Sequence, residues 1–269
     1  WYVDAKVILP KTSGIPFLSG LAFYGFGVGV WNRMDVTNMP ALNLSNIQNA
    51  TTTSNTTNSG ASFTPNKNIG LGLKVLAVIG TYPEPNAFNS DASLSGQFTT
   101  TGGLNKIEFN FDFWCMTDLT NRSEAAILGN ANVQYIPPTK LFSLTASALI
   151  DKPPVTTKGI GNPNDRVNLA LSINGSTSKW YFICGTPNQT NKVKVLGVTA
   201  WEYILVGNDI GQFVKNGFQP TTISGLNSVG MSYSNNTPTT IPSQSSTGKG
   251  FAFGVGVNFS NDKSLKRSE

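Results

Sequence analysis

Apolar and polar side chains alternate with period two in segment after segment of this chain, the signature of strands with two unlike faces. The sharpest case is Ile107-Glu-Phe109-Asn-Phe111-Asp-Phe113-Trp-Cys115, preceded by Leu94-Ser-Gly96-Gln-Phe98 and then by Gly102 and Gly103. These two runs predict a hairpin with one buried and one wet face. Desolvating Glu108 and Asp112 without cationic partners is costly, and burying three phenylalanines is favourable. Both terms therefore predict that the phenylalanines point inward and that Trp114 lies on the polar side.

Two other segments carry a bare face. In 21–34 the residues Tyr24, Phe26, Val28 and Val30 fall opposite Gly25, Gly27 and Gly29; in 251–259 the residues Phe251, Phe253, Val255, Val257 and Phe259 fall opposite Ala252, Gly254, Gly256 and Asn258. A glycine face implies that another group packs closely there, so both segments are expected to be central strands. Further strands are expected at 1–7, 69–79, 131–135, 140–149, 167–173, 179–184, 193–199 and 201–206. Residues 123–128 read equally as a helical turn or a strand start. Long polar loops are expected at 39–68 and 213–249, where Asn, Thr and Ser offer little burial to offset the entropy of ordering. A proline-rich connection is expected at 151–165.

The fold class that follows is all-β: many short antiparallel strands in a sandwich-like or open curved sheet. Residues 1–259 read as a single β-rich segment of a longer polypeptide, since Trp1 already begins an alternating run, and 260–269 as a polar tail or truncated continuation. No secretory leader pattern is visible. The uncharged stretch 12–32 has the length of a spanning helix, but Pro16, five glycines and period-two alternation argue for a strand instead.

Composition narrows the chemistry. Only 12% of the 269 residues are charged against 39% apolar, and the net charge of +5 is spread thinly. The absence of histidine removes imidazole bases, His metal ligands and Ser-His or Cys-His nucleophile pairs. Cys115 and Cys184 cannot make a zinc site alone; they read as small buried hydrophobes, or as a disulfide in an oxidising compartment. Glu108 and Asp112 share one strand face but stand about 13 Å apart, beyond a glycosidase pair. Gly25-Phe-Gly-Val-Gly29 has no following helix to cradle phosphate, and Asn162-Pro-Asn-Asp165 reads as a turn. Asn-X-Ser/Thr triplets, as at Asn43, Asn121 and Asn174, are the chance product of a chain rich in these residues. No catalytic residue, metal or cofactor is expected, and no nucleic acid partner. Candidate ligand-binding residues are the aromatics Trp114, Tyr24, Phe26, Phe251 and Phe253.

The runs Trp1-Tyr-Val-Asp-Ala5, Ala22-Phe-Tyr-Gly-Phe-Gly-Val-Gly29, Gly102-Gly-Leu-Asn-Lys-Ile-Glu-Phe109, Trp180-Tyr-Phe-Ile-Cys-Gly-Thr-Pro187, Tyr203-Ile-Leu-Val-Gly-Asn-Asp-Ile210 and Gly248-Lys-Gly-Phe-Ala-Phe-Gly254 occur in this order. Together they resemble a region of very large uncharacterised β-rich proteins of Bacteroidetes. The resemblance implies a cell-envelope or extracellular location in a Gram-negative bacterium and brings no catalytic residues with it. The expected function is a non-enzymatic structural or interaction segment, partnered by the remainder of a longer polypeptide. The alternatives are a lipid-binding β-groove and an outer-membrane barrel fragment, with lipid or other envelope proteins as further partners.

Overall fold

The computed structural model of the chain describes residues 1–37, 62–157, 166–186, 190–214 and 249–259. Strand makes up 69% of these, and no helix reaches seven residues, so the class is all-β. Most of the two long polar loops, the Asn162–Asp165 turn and the tail 260–269 lie outside the described residues. The chain divides into two units, Trp1–Leu144 and Thr145–Glu269.

The first unit contains β1 (Tyr2–Ile8), β2 (Ile15–Leu18), β3 (Leu21–Asn32), β4 (Met34–Thr37), β5 (Ser62–Pro65), β6 (Ile69–Thr81), β7 (Phe88–Thr99), β8 (Leu104–Cys115) and β9 (Ile127–Ile136). Its main ladders are antiparallel in the order β1-β3-β6-β7-β8-β9, with β2 beside β3. The expected 94–115 hairpin is β7 and β8, joined by a turn in which Gly102 takes φ +89°, a conformation that costs glycine nothing. The expected loop 39–68 is structured at its far end, where Ser62–Pro65 pairs with Met34–Thr37 in a separate two-stranded ladder. Residues 123–128 divide between a 3-10 turn at Arg122–Glu124 and the start of β9.

One face assignment changes. The β3–β6 register shifts between Phe23 and Gly25, and this bulge turns Tyr24 away from Phe26, Val28 and Val30. Tyr24 is completely buried among Ala22, Val78 and Leu119 on the glycine side. Its hydroxyl donates to the Thr81 carbonyl at 2.8 Å, which satisfies the one polar atom of the ring.

In the second unit follow β10 (Leu141–Lys152, which begins in the first unit), β11 (Val155–Thr156), β12 (Val167–Asn174), β13 (Lys179–Cys184), β14 (Asn191–Val195), β15 (Val198–Gly207), the single turn α1 (Gly211–Val214) and β16 (Gly250–Phe259). The strand expected at 193–199 is cut in two, because Leu196 and Gly197 take φ +49° and +85° and form a tight turn between Val195 and Val198. β16 occupies one edge of β15 along its whole length, while β14 and β13 share the other. Among the described ladders β16 pairs with β15 alone, so it is an edge strand rather than the expected central one. Tyr203, Leu205 and Ile210 form the core of this unit, packed by Tyr181, Ile183, Trp201, Phe213 and Ala252.

Candidate functional site

Register converts the alternation of the first unit into continuous rows. Val3, Val30, Leu73, Gly96, Ile107 and Tyr135 follow one another across six strands. The next row is Ala5, Val28, Val75, Leu94, Phe109 and Val133, and the third Val7, Phe26, Ala77, Ala92, Phe111 and Ala131. None of these eighteen residues is charged, and the Tyr135 hydroxyl is their only polar side-chain group.

This apolar face is the exposed one. Phe109 is 40% exposed and Val75 46%, whereas the Glu108 side chain retains 22% of its surface. The expected orientation of 107–115 is therefore reversed. The physical reason lies on the opposite face, which folds its charges inward and supplies the partners that the sequence argument assumed to be missing.

On that inner face the rows read Asp4, Gly29, Lys74, Ser95, Glu108, Gln134, and Lys6, Gly27, Leu76, Ser93, Asn110, Asn132. Asn132 Nδ2 donates to Glu108 Oε1 at 2.8 Å and to Asn110 Oδ1 at 2.6 Å, and Lys106 Nζ lies 2.6 Å from Glu108 Oε2. Burial works to raise the Glu108 carboxyl, but the Lys106 and Asn132 hydrogen bonds outweigh it and hold the group below the usual range. Lys74 is 4% exposed; burial, reinforced by the charges of Lys6 and Lys106 and opposed by Glu108 and Asp112, lowers its ammonium to about 8.

At one end of this face the connecting segments turn inward. Leu119, from the β8–β9 connection, packs against Ala22, Tyr24 and Val78. Arg122, from the same connection, donates Nη1 and Nη2 to Asp91 Oδ2 and Oδ1 at 2.7 and 2.8 Å, and Nε to Asn89 Oδ1 at 2.9 Å. Its guanidinium carbon lies 4.1 Å from the ring centre of Trp114. Asn89 Nδ2 in turn donates to the Thr117 carbonyl at 3.1 Å and the Pro85 carbonyl at 3.3 Å, and Lys11 Nζ donates to Asp118 at 2.9 Å. Burial raises the Asp91 carboxyl against the lowering effect of Arg122.

The five aromatic candidates are thus separated. Trp114 lies on the polar face as expected, but its ring is covered by Arg122, and Tyr24 is sealed in the core. Phe26 stands on the exposed apolar face of the first unit. Phe251 and Phe253, each 62% exposed, stand 5.5 Å apart between ring centres on that of the second. The Asp91–Arg122–Asn89 cluster was not found by sequence reasoning, since its members are scattered over a strand and an irregular connection.

The second unit shares the pattern with one break. Val206 and Phe251, Ile204 and Phe253, and Ala200 and Val257 are paired on one face, with the exposed Glu202 between them opposite Val255. Both thiols are free. Cys184 Sγ donates to Glu202 Oε1 at 3.6 Å and accepts from Asn191 Nδ2 at 3.2 Å. Burial and the Glu202 charge push this thiol up, which disfavours the nucleophilic thiolate. Among the described residues no three Cys, Asp or Glu side chains gather as a metal site, and no helix is long and apolar enough to cross a membrane. Comparison with family models, with curated proteins and with solved structures finds no match for this chain.

Proposed function

We propose that the chain is a non-enzymatic segment of a bacterial outer-membrane β-structure, with the apolar rows of the first unit against acyl chains and its polar rows on the enclosed side. The observation that carries this reading is the run of three uncharged rows across six strands on the exposed side of the sheet. Apolar outside and polar inside is the arrangement lipid selects and water disfavours.

Dimensions support it. Of the six strands, β3, β6, β7, β8 and β9 have 12, 13, 12, 12 and 10 residues, against about 9–11 needed by a tilted spanning strand, and β1 at the edge has 7. From Ile107 to Cys115 the apolar face of β8 runs about 27 Å along the strand, or about 20 Å across a bilayer at a tilt of about 40°, close to the apolar band of outer-membrane barrels. Exposed Trp1 and Tyr135 lie toward one margin of the band and exposed Tyr82 toward the other, as amphipathic rings favour the interface. A lipid-carrying groove would need the apolar rows on the enclosed side, which here carries Lys74, Asp91 and Glu108. A dry-cored scaffold would need them covered.

The test is reconstitution of the full chain into phosphatidylcholine/phosphatidylglycerol vesicles with brominated acyl chains. Flotation with the vesicles and quenching of tryptophan fluorescence are expected. A chain that stays monomeric without detergent and leaves the vesicles in the unbound fraction overturns the reading.

A further inference from the structure

We infer that the inward-turned connections at the Tyr24 end of the first unit close its polar interior there, and that the Arg122–Asp91 pair is the latch that holds the closure shut. The inference rests on the membrane reading above and adds a gate to it: a segment that keeps small ions and hydrophilic solutes from passing along the polar face.

Three connections meet at this end. Residues 9–14 follow β1, residues 82–87 join β6 to β7, and residues 116–126 join β8 to β9. Each is tied to the sheet or to another by a separate contact. The Leu9 amide donates to the Tyr24 carbonyl at 2.9 Å, and Gly14 lies so close to the Tyr24 ring that an added Cβ would stand 2.7 Å from it. Pro85 is fully buried and comes near Gly80, whose own Cβ position lies 3.1 Å from Tyr24. Leu119 completes the apolar cluster around the same ring. The fully buried Ala22, Tyr24, Val78, Pro85, Asn89, Ser90 and Leu119 belong to this end, and Trp31, also fully buried, to the other. At the opposite end the connections after β7 and β9 are the short turns 100–103 and 137–140, while the connection from β3 to β6 carries the β4–β5 ladder, whose Phe63 stacks on Tyr2 with ring centres 6.1 Å apart.

An apolar cluster would be enough to fill space, but it does not explain Arg122. A guanidinium placed on a buried carboxylate, on Asn89 and on Trp114 takes a charge out of water, and burial of an ion pair contributes little net stability. What it does supply is a specific geometry: two parallel bonds to Asp91 and one to Asn89 can be satisfied in a single position of the 116–126 segment. The Asn89 amide, by donating to Thr117 and Pro85, ties the neighbouring connection to the same point. Lys11–Asp118 fastens the third at the surface. Breaking the pair leaves Asp91 and Arg122 each seeking water, which draws the segment outward and wets the end of the interior.

The experiment compares the full chain with Arg122→Gln and, as a milder change that keeps the shape of the acceptor, Asp91→Asn. Each protein is incorporated into the same vesicles, scored for flotation, and measured for ion conductance across a planar bilayer; hydrogen exchange of 116–126 is followed in parallel. Wild type is expected to insert with little conductance. Both variants are expected to insert equally well, conduct at least ten-fold more, and exchange 116–126 at least ten-fold faster. Variants that float with wild-type circular dichroism but conduct no more than wild type overturn the gate and leave the membrane reading standing. If the wild type does not float, the membrane reading fails and the gate with it. Unchanged exchange at 116–126 in both variants overturns the latch.

Discussion

Trp31 stands directly across the β3–β6 ladder from Gly72, and a Cβ built on that glycine would clash with Cε2, Nε1 and Cζ2 of the indole. The same device recurs on β16, where Trp201 covers Gly256 and Tyr203 covers Gly254. A flat ring laid over a cross-strand glycine packs against bare backbone and fills the gap left by the missing side chain. The Trp31 Nε1 has no hydrogen-bond partner, so packing alone sets the ring position.

Gly72→Ala should therefore cost about 2–3 kcal/mol through overpacking, near the upper end for small-to-large changes. Gly27→Ala should cost less than about 1 kcal/mol, because its Cβ would meet the movable Leu76 Cδ1 at 2.9 Å and Lys6 Cγ at 3.4 Å. Denaturant unfolding in detergent measures both. Equal midpoints for the two variants would show that the indole is not fixed over Gly72.

Phe109 tests the outward face. At the centre of the apolar rows, Phe109→Lys should weaken membrane insertion by about 2–4 kcal/mol, and Val75→Lys by a similar amount. Phe109→Leu should leave insertion unchanged, since lipid replaces one apolar contact by another. Urea titration of vesicle-inserted protein gives the comparison, and tolerance of lysine at both positions would mean that this face meets water.

Period two made the rows legible and left their direction open. The sequence places Phe109 with Phe111 and Glu108 with Asp112, and the structure keeps both groupings while exchanging inside for outside. The exchange goes with partners that stand outside the run, Lys106 and Asn132 on Glu108, which no residue in 107–115 announces. Tyr24 was misplaced for a different reason: a bulge adds one residue to a strand and inverts the alternation beyond it, and Phe23-Tyr24-Gly25 carries no turn residue other than the glycine to announce it. Arg122 was unreadable because its partners stand 31 and 33 residues away on another strand.

The Arg122–Asp91 pair makes a thermodynamic prediction independent of any gate. Asp91→Ala alone should cost about 3–5 kcal/mol, as it strands a guanidinium beside Trp114 in a site with little water. Asp91→Leu combined with Arg122→Met should cost much less than the sum of the single changes, because no unpaired charge remains. A double-mutant cycle on equilibrium unfolding decides it, and additive single costs would show that the two groups do not act as a pair.

Lys74 sets a pH dependence of definite sign. Below about pH 8 its ammonium is charged in the folded and the unfolded chain alike, and the folded state carries the full cost of burying it. Between about 8 and 10.5 the unfolded chain keeps a proton that the folded chain has released, so stability rises with pH through this window. The gap corresponds to a gain of about 3 kcal/mol once the pH exceeds both values. Lys6, also lowered by burial, adds in the same direction. Cys115 and Cys184 act in the opposite sense, since burial raises both thiols and the folded chain then holds protons that the unfolded chain gives up. Comparison of the protein with Lys74→Met cancels these other groups. The variant should be the more stable at pH 7, where it removes a buried charge, and its urea midpoint should rise less between pH 7 and 10 than that of the wild type. Parallel pH profiles for the two proteins would place the Lys74 ammonium in contact with bulk water, and the polar face of β6 would then be an outer surface.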